Sequence, residues 1–190
     1  MNYRLAGIIA IVGAPFLFLD FLMYNMDGKN ESTSLSGVFN LIYISAWMCS
    51  IVGLWKARAT GYNKWGRIVL IIQLVFLSLA NCWNIYVIID PGANTVLYQT
   101  LDFFWPISNL WMLATGITVL SAKVFKGWHR FVPLIVGLWL PISISFLSAL
   151  LRQSNMGMII GGIYSALAWS LLGLVILKQE RFAYGNTIRK

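Results

Sequence analysis

The chain is short of charge, has a single histidine and has only two cysteines, and each shortage closes off a class of protein. Charged residues make up 11% of its 190 positions, against roughly a quarter in a soluble domain that must cover its surface with them. A water-soluble globule is excluded on that ground. His129, Cys49 and Cys82 together cannot supply the four ligands of a structural zinc site, and no metal is expected. No predicted helix offers the histidine that haem would want, and no lysine falls inside an apolar run where retinal would form a Schiff base. No cofactor is expected either. Both cysteines lie within apolar runs, at depths about one helical turn apart, and read as free thiols serving as small hydrophobes. A G-x-S-x-G elbow and an H-E-x-x-H helix are both missing. His129 falls in a loop, a membrane thickness from the buried carboxylates, so a Ser-His-Asp triad is out of reach. No catalytic residue is assigned.

What is present is apolar: 59% of the residues are hydrophobic, and the mean hydropathy is +0.75. A hydrocarbon core about 30 Å thick takes about 20 helical residues, and six runs meet this, at 5–24, 37–55, 68–89, 96–120, 131–151 and 156–177. The expected fold is all-α, a polytopic bundle of six transmembrane helices forming a single domain over 1–190. The first run exceeds a signal-peptide core and no A-x-A site follows it, so it reads as a retained helix. Twelve of the fourteen lysines and arginines fall in the N-terminal tail, the second and fourth loops and the C-terminal tail; only Lys29 and Arg152 lie on the other side. The positive-inside rule then places both termini in the cytoplasm, in a multi-pass protein of the inner (plasma) membrane. Trp55, Trp65 and Trp128 fall at the cytoplasmic boundaries, where amphipathic rings prefer the head-group level. The net charge of +8 is explained by this topology and by anionic head groups, with no nucleic-acid partner implied. The lipid bilayer is the partner the composition demands.

Helices in lipid associate through small residues that let backbones approach. The last span carries Gly157-x-x-x-Gly161-x-x-x-Ser165 and, beside it, Gly162-x-x-x-Ala166-x-x-x-Ser170; the first carries Ala6-x-x-x-Ala10-x-x-x-Ala14. These faces suit first the helices of the same chain, since a six-helix bundle needs them anyway, and otherwise a membrane-protein partner or a second copy. Pro106 and Pro141 each remove a backbone donor and are expected to kink the fourth and fifth spans. Ser108, Asn109, Ser143 and Ser145 are placed to meet the freed carbonyls.

Polar side chains inside the spans are the chief functional signal, because an ionisable group in a membrane helix is costly and usually has a purpose. Asp20, Asn40, Asn81, Asn84, Asp102 and Arg152 all fall in the outer half, with Gln153 beside the last of them. At about 100° per residue, Asn109 lies about 20° from Asp102, and Gln73, Asn81 and Asn84 share an arc of about 80°. Trp105 and other aromatics flank Asp102, and Tyr24 follows Asp20 by one turn. Two readings stand. One is an outward-opening pocket for a small polar or amphiphilic molecule or a lipid, lined by Asp20, Asn40, Asn81, Asn84, Asp102, Trp105, Asn109 and Arg152. The other is a network of interhelical hydrogen bonds, with Arg152 pairing to an aspartate, in a structural or regulatory subunit of a larger complex. A lipid-modifying enzyme is a third possibility that nothing in the sequence selects.

The segment Asp102-Phe-Phe-Trp-Pro-Ile-Ser-Asn-Leu-Trp-Met-Leu, with Gly127-Trp-His-Arg-Phe-Val-Pro-Leu and Gly137-Leu-Trp-Leu-Pro, resembles stretches of small bacterial multi-pass proteins of no assigned activity. That resemblance implies a bacterial source. The six spans, the length and the small-residue face of the first helix are similar to the substrate-binding subunits of energy-coupling-factor transporters. By that analogy Ala6, Ala10 and Ala14 would dock a partner subunit.

Overall fold

The computed structural model describes residues 2–27, 33–144 and 156–187, with side chains over 2–24, 33–144 and 157–179. Among the described residues every regular element is helical: α1 (Tyr3–Gly13), α2 (Phe16–Asp27), α3 (Ser34–Lys56), α4 (Lys64–Ile89), α5 (Val96–Asp102), α6 (Phe104–Ala122), a 3-10 turn (Gly127–Phe131), α7 (Val132–Gly137), α8 (Trp139–Ile142) and α9 (Met156–Thr187). Two helix starts follow from one residue type. Thr33 and Thr95 accept hydrogen bonds from the backbone N–H groups of Ser36 and Tyr98, each at 3.1 Å, satisfying donors that a helix N-terminus leaves open.

Five stretches are long and apolar enough to cross a membrane: Tyr3–Tyr24, Ser34–Lys56, Lys64–Ile89, Val96–Ala122 and Gly157–Gln179. They coincide, within a few residues, with five of the six expected spans. The sixth, expected over 131–151, is described only as far as Ile144. Residues 145–151, Ser145 among them, lie outside the described residues, as do Arg152 and Gln153.

Proline breaks the spans where backbone chemistry requires it. A proline has no N–H for the carbonyl four residues back and its ring crowds that turn. The helix gives way at Phe103 ahead of Pro106 and at Leu138 ahead of Pro141, as expected. The first span also breaks, at Ala14 and Pro15, by the same chemistry. Ser108 and Asn109 bond to carbonyls within their own helix, those of Phe104 at 2.6 Å and Trp105 at 2.9 Å.

The helices close a ring. The α1–α2 pair packs on α3, α3 on α4, α4 on α6, α6 on α7, and α7 on α9, which returns to α1 and α2; α3 also reaches α9 across the middle. Small residues make the closest crossings. A Cβ on Gly7 would lie 2.9 Å from the Gly173 carbonyl oxygen, and one on Gly173 would lie 3.0 Å from that of Gly7. Ala6, Ala10 and Ala14 are all but fully buried within the chain, so its own helices already cover the face that the transporter analogy would offer to a partner. At the centre, Trp47 and Trp169 meet edge to face at 5.0 Å, flanked by Tyr43 and Trp139. The Trp139 indole donates to the Gly161 carbonyl at 2.7 Å.

The distribution of polarity is the reverse of a soluble protein's. Gln73, Asn84, Ser108, Asn109, Thr115 and Ser165 are buried, while Val12, Ile71, Val75, Leu110, Ile117 and Leu167 are exposed. In water this arrangement would cost free energy at both surfaces, whereas in lipid it lowers it. Trp65 and Trp128 are also exposed, at 75% and 51%, and Lys178 sits 5.5 Å over the Trp128 ring, joining α9 to the 3-10 turn.

One stability test follows from α9. A Cβ on Gly162 would lie 2.7 Å from the Phe18 ring and 3.2 Å from the Phe18 backbone. Gly162→Leu should therefore cost about 1–3 kcal/mol through overpacking, lowering the melting temperature in detergent by roughly 2–12 °C. Ile163→Leu, at an exposed neighbour, should leave it unchanged.

Candidate functional site

A cavity of about 230 Å3 opens among six helices of five spans, at the end of the bundle where α2 finishes and α3 begins. Each helix contributes a face that helical spacing dictates. From α2 come Leu17, Asp20, Phe21 and Tyr24; Leu17 and Tyr24 stand three residues before and four after the aspartate, on its side of the helix. From α3 come Ser36, Asn40 and Ile44, spaced by fours along one stripe. α4 adds Trp83 and Asn84, the fourth span adds Asp102 and Trp105 from either side of the break at Phe103, and α9 adds Met158.

The polar groups divide into those held by protein and those left for something else. Asn40 donates to the Asp20 carboxylate at 2.8 Å and to the Ser36 carbonyl at 3.1 Å, fixing one oxygen of Asp20. Asn84 is fully buried and donates to Asn81 Oδ1 at 3.1 Å. Its own Oδ1 has no partner. A buried acceptor left unmatched costs about 1–3 kcal/mol, and here it belongs to a residue that lines the cavity. Asp102 contributes a second carboxylate from a helix, α5, that buries no residue. Among the described residues the wall includes no lysine, arginine or histidine.

Of the eight residues expected to form the site, the structure brings five to this wall: Asp20, Asn40, Asn84, Asp102 and Trp105. Asn81 stands behind it, holding Asn84 and donating to Ser45 at 3.1 Å and to the Met48 sulfur at 3.6 Å. Asn109 is buried on α6 against the Trp105 carbonyl and does not line the cavity. The break at Phe103 puts Asp102 and Asn109 on different helical segments, so angles counted at a constant 100° per residue do not carry across it. Arg152 lies outside the described residues. Gln73 is interhelical cement: it donates to the Ser108 carbonyl at 3.1 Å and accepts from Thr115 at 3.5 Å. Trp111 similarly donates to the Val69 carbonyl at 2.9 Å.

Sequence reasoning missed Leu17, Phe21, Ser36, Ile44, Trp83 and Met158. The stripe Ser36–Asn40–Ile44 was available from spacing alone; Met158 was not, because the alternation of spans puts the start of α9 at this end of the bundle but does not say that it packs beside α2. The remaining sequence features do other work. Cys49 and Cys82 are free thiols, and His129 sits in the 3-10 turn, its ring against Trp128 and its Nδ1 3.2 Å from the Lys126 carbonyl. Among the described residues no three histidine, cysteine, aspartate or glutamate side chains come together.

No family model matches the chain, and neither the curated proteins nor the solved structures contain a match to it.

Proposed function

We propose that this chain is a six-span membrane protein, with both termini in the cytoplasm, that binds or passes a small polar or amphiphilic molecule through the cavity in the outer half of its bundle. The observation that carries the reading is the unmatched Asn84 oxygen at a cavity walled by two carboxylates and aromatic rings. Asn109 Oδ1 is unmatched as well but lies away from the cavity, so it is the place of Asn84 on the wall that gives its oxygen weight. The cavity's volume is below the roughly 300–1,000 Å3 of drug-sized sites, so it suits a small solute or the head group of a larger amphiphile. The asymmetry of lysine and arginine supports the orientation.

Two measurements test this. Purified protein screened by thermal shift against small amphiphiles should be stabilised by some of them, and Ser36→Trp, which fills the cavity from its α3 wall, should remove the response. A panel without a single shift would count against ligand binding. A reporter enzyme fused after Lys190 should be active only in the cytoplasm; activity outside would overturn the orientation.

A further inference from the structure

Resting on the ligand-binding reading above, we infer that the molecule this cavity takes is an organic cation, a primary or secondary ammonium group carrying an apolar tail. Three features of the wall carry the assignment, beside one group, the unpartnered Trp83 indole N–H, that would take an acceptor. Among the described residues the wall's charged groups are all acidic, Asp20 and Asp102. An anion would meet two carboxylates and, among the described residues, no counter-charge. The second feature is independent of charge. Asn84, fully buried, presents an acceptor with no partner, since its amide nitrogen is already committed to Asn81. A ligand that completes it must bring a hydrogen-bond donor, which a protonated amine does and a quaternary ammonium does not. Asn40 and Ser36 both bond to Asp20, which leaves chiefly the Asp102 carboxylate to receive the remaining N–H groups.

The third feature is the company these acceptors keep. Trp83 and Trp105 share the wall with them, and the face of an indole attracts a cation through its ring quadrupole, more strongly once water is excluded. Leu17, Ile44 and Met158 complete the lining with apolar surface, to which an alkyl or aryl tail is suited and a hydrated inorganic ion is not.

The experiment uses the full-length protein in mild detergent or nanodiscs and three probes with the same tail: octylammonium chloride, sodium octyl sulfate and octanol, with sodium chloride alone as a fourth arm. Binding is read by thermal shift and by quenching of tryptophan fluorescence. Octylammonium is expected to stabilise the wild type in a saturable way, and the other three are not. Asp102→Asn should weaken octylammonium binding at least tenfold while leaving the melting temperature without ligand nearly unchanged, because Asp102 belongs to a helix that buries nothing. Asp102→Glu should restore most of the binding. Equal stabilisation by octanol or octyl sulfate, lost in Ser36→Trp, would overturn the cation assignment and leave the cavity a general amphiphile site. A shift produced by sodium chloride alone would also overturn it, in favour of an inorganic ion. No response to octylammonium, with other amphiphiles still binding, would refute the inference and not the function; no response to any amphiphile would refute both.

Discussion

Gly116→Leu should abolish the folded bundle. A Cβ at this position would lie 2.5 Å from the Cα and 2.6 Å from the backbone nitrogen of Leu134. Both are main-chain atoms of α7, so no rotamer change can make room. The crossing is tight from both sides: a Cβ on Gly137 would come within 2.6 Å of the Leu113 nitrogen. Moving α7 away would also disturb Val132, Val136 and Trp139, which are buried at this side of the core. Overpacking a core against mobile side chains costs about 1–3 kcal/mol, and against fixed backbone the cost should exceed that range. Most of the protein is then expected to aggregate on extraction, seen as loss of the monodisperse peak in size-exclusion chromatography. Gly116→Ala should show a milder form of the same defect. Gly92→Leu, where an added Cβ would meet nothing within 4 Å, should behave as wild type. A well-folded Gly116→Leu protein would mean that α6 and α7 do not cross at this point.

Asn84→Leu should separate stability from binding in the opposite sense. The asparagine is fully buried with an unmatched oxygen, and leucine shares its branching with methyl groups in place of the amide oxygen and nitrogen. Removing an unsatisfied acceptor relieves a penalty of about 1–3 kcal/mol, partly offset because Asn81 loses its donor. Asn81 keeps its bond to Ser45. The melting temperature without ligand should stay level or rise by a few degrees. Ligand-induced stabilisation should fall at least tenfold in apparent affinity, because the group that the ligand completes is gone. Thermal shift with and without octylammonium measures both at once. A variant that is destabilised yet binds normally would make Asn84 a packing residue and remove the main support for the site.

Much of this architecture is legible in the sequence, because hydrophobic length fixes where helices lie almost regardless of their neighbours. Five spans appear within a few residues of their expected limits. The breaks before Pro106 and Pro141 were equally readable, since the missing N–H acts locally. The Pro15 break was readable by the same rule and was overlooked. The site was legible only in part. Burial of a polar residue within a span identifies the candidates, but whether each one is satisfied depends on helices distant in sequence. Asn81 found Ser45 on α3, and Gln73 found Ser108 and Thr115 on α6, so both serve packing. Asn84, three residues from Asn81, keeps an oxygen free. No spacing rule distinguishes those two asparagines; the ring order of the helices does. That order also explains Met158, which reaches the cavity because α9 packs against α2.

The central claim, that the cavity receives a small molecule, is tested most directly by determining the structure of the protein in nanodiscs with and without octylammonium. The account predicts non-protein density between Asn84, Asp102 and Trp105 when the amine is present, with its nitrogen within hydrogen-bonding distance of Asn84 Oδ1, and no such density in Ser36→Trp. A cavity that holds only water, or that its own side chains close, under both conditions would contradict it.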